Sequence, residues 1–194
     1  MSTILRIFSS QAGIDLNVHL FYSNINIRKG SFKVSITIRK FKNEDVPAMV
    51  SVWNEVVKEG NAFPQTDMLT VDSGRAFFAS QSLTAVAEEN GVITGLYILH
   101  PNNIGRCGHL ANASYAVASY ARGRGVGERL VRHCLENAAD YGFKILQFNA
   151  VVASNAAGIA LYEKLGFVRL GTVPGGFLNG NNEYEDIILF YHTL

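Results

Sequence analysis

At 194 residues, 48% hydrophobic and 17% charged, the chain has the length and apolar content of a single globular domain with its own core. Seventeen basic against sixteen acidic residues leave a net charge of +1, which lacks the basic excess of nucleic-acid binders and excludes nucleic acid as an expected partner. No apolar run reaches the roughly 20 residues that span a bilayer, so no membrane partner is expected either.

The first 32 residues lack the basic start and unbroken apolar stretch of a secretory signal. Asp15 is their one acid against Arg6, Arg28 and Lys29. They are read as an N-terminal arm of unknown role, with an organellar, mitochondrial presequence as the alternative. From residue 33 the pattern turns regular and predicts one domain over 33–194. Val34, Ile36 and Ile38 alternate as in a half-buried strand. A helix follows from Asn43, the expected N-cap, with Val46, Met49, Val50, Trp53, Val56 and Val57 at helical spacing and Gly60 at its end. A loop then leads to a shorter helix near "GRAFFASQ".

Three strands are expected next, "LTAVAEE", "VITGLYILH" and "GHLANASYAV", with Asn90-Gly91 as a hairpin turn between the first two. Past a glycine-rich turn, Val126, Leu130, Val131, Cys134, Leu135 and Ala138 line one side of a helix that stops at Gly142. "FKILQFNAVV" is a strand, "NAAGIALYEKL" a helix closed by Gly166, and "FVRLGTV" and "DIILFYHTL" are strands. The fold class is α/β, with a hairpin-built sheet first and strand-helix units after it. Cys107 and Cys134 make neither a disulfide framework nor a metal-ligand spacing, which fits a reducing, cytoplasmic compartment. With His109, Cys107 still supplies only two ligand types, so no metal is expected.

The chemistry concentrates in "ASYARGRGVGERLV", residues 118–131. A glycine turn between a strand and a helix places backbone N–H groups and a positive helix end around an anion. A tight connection holding nothing is the plain alternative. A Walker loop would require Gly-Lys-Ser/Thr, but Gly127 is followed by Glu128 and Arg129. A dinucleotide fold requires G-x-G-x-x-G and a later acid, but the third glycine is one position early and the next strand carries no acid.

Arg122-Gly123-Arg124-Gly125-Val126-Gly127 matches the Arg/Gln-x-x-Gly-x-Gly/Ala loop of the GCN5-related N-acetyltransferases (GNAT). "NAAGIALYEKLGF" resembles that family's second cofactor segment through Asn155, Tyr162, Lys164, Gly166 and Phe167, with Gly158 near its small residue. The resemblance spans residues 33–194. It implies a mixed, mostly antiparallel sheet, splayed at the strand before the turn, with helices on both faces and acetyl-CoA in the gap. The pantetheine arm would pair with the backbone of Tyr115, Ala116 and Val117. Amides from Arg122, Gly123, Arg124, Gly125, Val126 and Gly127 would hold the pyrophosphate. Asn155 would contact the cofactor's arm, although its position equally fits a helix N-cap.

The implied reaction is amine attack on a thioester. Tyr162 stands at the family position of the general acid for the leaving thiolate, and a tyrosine packed at the core edge is its plain alternative. The motifs fix no base; Glu55, Glu59 and Glu89 are candidates, each also readable as a surface charge. Arg122, Arg124 and Arg129 either reach the adenosine phosphates or form a solvated edge.

"NAFPQTDML", "RCGHLANASYAV" and "VPGGFLNG" carry a narrower resemblance, to the fungal N-acetyltransferases of proline analogues such as azetidine-2-carboxylate. It places Asn112 and Asn149 as acceptor-binding residues, with strand asparagines bonded to neighbouring backbone as the alternative. Those enzymes carry tryptophan where this chain has Tyr162, a departure that separates substrate identity from the shared frame. The implied function is acetyl transfer to a small-molecule amine, a proline analogue or related amino acid, with a homodimer as the default assembly. Acetylation of a protein N-terminus or lysine, and a non-catalytic acetyl-CoA-binding module, are the competing readings.

Overall fold

The computed structural model describes residues 35–194. The N-terminal arm read from residues 1–32, and Val34 of the first expected strand, lie outside the described residues. The alternating segment forms β1 (Ile36–Lys40). The valine- and tryptophan-bearing face forms α1 (Val46–Glu59), closed by Gly60 in the left-handed conformation, φ 62°. After α2 (Val71–Ala79) come β2 (Leu83–Glu89) and β3 (Val92–Pro101). Asn90 (φ 53°) and Gly91 (φ 80°) make the tight hairpin turn between them. β4 (Leu110–Val117), α3 (Val126–Asn137), β5 (Ile145–Val152), α4 (Ala156–Lys164), β6 (Val168–Leu178) and β7 (Tyr184–Thr193) complete the domain.

Asn43 is not the cap of α1. Residues 43–45 form a 3-10 turn, and the α-helix starts at Val46 with a proline in its first turn. The buried Asp45 carboxylate takes the organising role. It accepts from the Lys42 backbone N–H at 2.7 Å and from the Arg39 guanidinium at 2.7 and 2.9 Å. Arg39 Nε also donates to Glu88 at 2.7 Å, so one arginine ties β1, β2 and the start of α1 together.

The Arg39 hydrogen bonds, with the Lys42 amide, hold the Asp45 carboxyl below its usual range. A carboxyl with a folded pKa below its unfolded one contributes stability that is complete above about pH 4 and is lost as pH falls through the folded value. Asp45→Asn should therefore lower stability at neutral pH by roughly 2 kcal/mol. The same change should flatten the acid limb of a denaturation-versus-pH series.

The seven strands run in the order β1-β2-β3-β4-β5-β7-β6. Every neighbouring pair is antiparallel except β4 and β5. Helices cover both faces. Gly95 on β3 faces Leu130 and Val126 of α3, and Tyr97 two residues on bonds His133 of the same helix. Residues between them face α1, because strand side chains alternate. On the α1 side, Trp53 packs against Phe63, Phe77 and Phe78 with centroids at 4.4, 5.2 and 5.9 Å, the last two edge-on, fastening α1, α2 and the loop between them.

The feature that positions the site is the parallel pair. β4 and β5 register only at Leu110–Ile145 and Ala111–Leu146, after which the strands part. β4 stays paired with β3 as far as Val117, and β5 stays paired with β7. The edge of β4 from Asn112 to Val117 therefore faces a gap inside the sheet.

Candidate active site

The chain leaves β4 through a 3-10 turn, Ser119–Ala121, and passes an extended Arg122 into the glycines. Gly123 has φ 73° and Gly125 φ 81°. A Cβ at either would meet nothing within 4 Å, so positive φ rather than crowding requires glycine there. Gly125 stands at the N-cap of α3, and no side chain caps that helix. Its first amides are left for an acceptor from outside the helix.

That acceptor has room. A cavity of about 630 Å³ runs between the glycine turn, the free edge of β4 and the start of α4. Of the expected cofactor residues, Tyr115, Val117, Arg122, Gly123, Gly125, Val126, Gly127 and Asn155 line it. Ala116 and Arg124 do not. The Ala116 side chain is fully buried on the α1 face, leaving only its backbone at the edge, and Arg124 is ion-paired with the buried Glu89. Arg122 is tied as well, its Nε donating to the Val117 carbonyl at 3.2 Å and a terminal nitrogen lying 2.8 Å from Glu59. These two side chains brace the turn.

Asn155 stands at the N-cap of α4. Its Oδ1 accepts the Gly158 N–H at 3.0 Å, capping α4, while the residue also lines the cavity. A Cβ at position 158 would lie 2.7 Å from Asn155 Nδ2, so the cap itself requires the glycine.

Tyr162 lies in the last turn of α4 and lines the same cavity. Its ring packs against Phe148 at 4.5 Å, Phe167 at 5.5 Å and Phe190 at 6.1 Å. Burial pushes its phenol up to about 12, so it holds its proton at neutral pH and can donate but not act as a base. The three candidate bases are all engaged. Glu59 pairs with Arg122, Glu55 accepts the Ser119 N–H at 3.1 Å, and Glu89 pairs with Arg124.

Asn112 and Asn149 stand apart from the cavity. Phe148 faces Tyr162, so its neighbours Gln147 and Asn149 face the α1 side, as Asn112 does next to the inward-facing Ala111 and Ala113. The two asparagines therefore share the opposite face of the sheet, one on each side of the parting strands. Asn112 Oδ1 accepts the Ala113 N–H at 2.7 Å. Asn149 exchanges two hydrogen bonds with Asn102, at 2.6 and 3.2 Å, and accepts one from Gln147 at 3.0 Å. Asn102 and Gln147 went unnoticed in the sequence, where one lies in a loop and the other is an ordinary strand residue. Only the fold brings them to Asn149.

The arrangement can hold an extended, anion-bearing molecule along the β4 edge, with its far end at the parting of the strands beside Tyr162. A second molecule can approach that point from the asparagine face.

Comparisons with known proteins agree with this geometry. The model of the Acetyltransferase (GNAT) family matches residues 49–167, from within α1 through the glycine turn to the end of the α4 segment. The chain is 28% identical to N-acetyltransferase aca1 of Schizosaccharomyces pombe, over 79% of this chain and 82% of that protein. It is 26% identical to a putative phosphinothricin acetyltransferase of Bacillus subtilis, YwnH, over 72% of this chain and 88% of that protein. A GCN5-related N-acetyltransferase from Kribbella flavida has the same fold at TM-score 0.76 and 32% identity, covering 82% of this chain and 98% of its own. The yncA protein of Salmonella typhimurium, solved with its cofactor acetyl-CoA, shares the fold at TM-score 0.77 and 22% identity, covering 82% of this chain and 94% of its own. The family match, laid over a parted sheet and an uncapped glycine turn, shows that the chain belongs to the acetyltransferase (GNAT) family.

Proposed function

We propose that this N-acetyltransferase moves acetyl from acetyl-CoA to the amine of a small amino acid, a proline analogue or a close relative, with Tyr162 as general acid. Acetyl-CoA is the acyl donor. Its pyrophosphate takes the amides of the glycine turn, and its pantetheine arm completes the open edge of β4. One observation carries the reading: the turn, the unpaired edge and a protonated tyrosine converge on one cavity.

The neutral amine attacks the thioester carbon from the asparagine face and forms a tetrahedral oxyanion. Backbone N–H groups at the parting of the strands are placed to stabilise it. As the C–S bond breaks, the thiolate takes the Tyr162 proton. With all three candidate glutamates engaged, deprotonation of the amine is assigned to solvent.

An amino-acid acceptor is supported by the amide cluster, since asparagine both donates and accepts and so orients a zwitterion without adding charge. The Bacillus relative's name points the same way, because phosphinothricin is an amino acid. Among the described residues no helix is long and apolar enough to cross a membrane, and Cys107 is free and exposed. We place the enzyme in the cytoplasm on that thiol and take a homodimer as its assembly.

Thiol release from acetyl-CoA should be measured against azetidine-2-carboxylate, cis-4-hydroxyproline, primary amino acids, polyamines, aminoglycosides and peptides. Turnover confined to the imino acids or amino acids supports the proposal. Turnover of peptides alone would replace it with protein acetylation, and acetyl-CoA binding without any turnover would favour a binding module. With the true acceptor, Asn112→Ala should raise the acceptor KM by about tenfold and leave the acetyl-CoA KM unchanged.

A further inference from the structure

The asparagine face carries a histidine that the mechanism so far leaves idle. His100 stands near the end of β3, directly opposite Asn112 on β4. Cross-strand partners in an antiparallel pair point to the same face, with Cβ atoms about 5 Å apart. The alternation along β3 agrees. Tyr97 faces α3 through its bond to His133, so His100, three residues on, faces the other way. Asn102, two residues further, bonds Asn149 on that same face. His100 therefore stands with the amides beside the parting of the strands, on the side from which the acceptor amine approaches.

Its hydrogen bond decides which ring nitrogen is free. Nδ1 lies 3.0 Å from the Pro101 carbonyl oxygen. A carbonyl can only accept, so the shared hydrogen belongs to Nδ1, and the neutral ring keeps its lone pair on Nε2. The ring is half-buried and joins no ion pair among the described residues. The amides around it, Asn102, Asn112, Gln147 and Asn149, do not titrate. Tyr191 on β7, opposite Gln147, is another titratable side chain that the register puts on this face. A phenol ordinarily keeps its proton at neutral pH, whereas an imidazole exchanges one readily there.

We propose that His100 Nε2 is the general base of the reaction, taking a proton from the acceptor's ammonium directly or through one water, a role that rests on the amine approaching from the asparagine face. His100 is then the carrier that delivers this proton to solvent. A secondary ammonium loses one proton to Nε2, and the lone pair so freed bonds the thioester carbon. The adduct gives its remaining N–H proton to solvent as the C–S bond breaks, and the thiolate takes the Tyr162 proton. Tyr162 regains a proton from solvent, and the imidazolium returns its own. Two protons leave the nitrogen, one ends on sulfur and one in solvent, so both side chains are restored.

The test is His100→Gln at saturating acetyl-CoA, with azetidine-2-carboxylate or whichever amine of the panel turns over fastest. Glutamine keeps a donor for the Pro101 carbonyl and has no basic nitrogen. Near neutrality kcat/KM for the acceptor should fall about a hundredfold. The deficit should shrink as pH rises toward the amine's own pKa, where no base is needed. Acetyl-CoA affinity, measured by calorimetry, should stay within about twofold. Imidazole added to His100→Ala should restore part of the rate. A loss that is equal at every pH and indifferent to imidazole would mark a purely structural ring and overturn the proposal. An unchanged rate alongside a raised acceptor KM in Asn112→Ala would overturn the base alone. Unchanged acceptor kinetics in both variants would instead remove the asparagine face from the reaction, and this role with it.

Discussion

Tyr162→Phe should lower kcat on the order of a hundredfold or more, the size of a positioned proton donor's contribution, while acetyl-CoA binds as before. The substitution deletes only an oxygen and keeps the ring among Phe148, Phe167 and Phe190, so folding is expected to be unaffected. The affinity for acetyl-CoA, measured by calorimetry, separates the outcomes. A slow enzyme with unchanged donor affinity is the expected result, whereas unchanged turnover would remove Tyr162 from the chemistry. The pH profile adds a constraint. With the phenol pushed up to about 12, loss of its proton should not depress the rate anywhere between neutrality and the limit of stability. The rate should instead rise with pH as the acceptor amine loses its proton.

The second large effect belongs to the turn. Gly125→Val places a β-branched side chain at φ 81°, where L-residues are strained by about 1–2 kcal/mol and branched ones by more. The chain should relieve that strain by shifting the amides that open α3. Acetyl-CoA affinity is expected to drop about tenfold to a hundredfold, read as a weaker Kd for CoA as well as for acetyl-CoA. Gly91→Val is the matched control. Gly91 has φ 80° in a hairpin turn with nothing within 4 Å of a Cβ. The same strain there should lower Tm and leave CoA binding intact. Equal CoA affinity in both variants would show that the turn holds no pyrophosphate.

Much of this site was legible because its signals are local. The positive-φ glycines, the strand before them and the helix after them sit within one stretch of chain, and Asn155 to Phe167 is equally continuous. Features set by long-range packing were less visible. α2 starts at Val71, ahead of the "GRAFFASQ" stretch, because Thr70 and Ser73 cap each other across its first turn. Gly74, which breaks the helical pattern, is there because a Cβ would lie 2.4 Å from Val50 Cγ2 of α1. β6 runs on through "VPGG" to Leu178, past the expected end at Val173, because β7 supplies a partner and a bulge absorbs the glycines. Asn43 has the residue type of a cap, whereas Asp45 is fixed by an arginine on β1 that the local pattern does not reveal. The pairing of Glu59 and Glu89 with the arginines of the turn is hidden for the same reason, since local sequence shows them only as free carboxylates.

The early parting of β4 from β5 has a consequence for how the protein can change. Peptide groups survive nearly every point mutation, so a donor held by an open strand edge and a row of turn amides is insulated from most substitutions along β4. The asparagine face across the sheet is built from side chains, and each one is open to replacement. In the proposed reaction one half is thus written in main chain and the other in exchangeable residues. A library confined to Asn102, Asn112, Gln147 and Asn149 can search for new acceptors while the acetyl donor stays fixed.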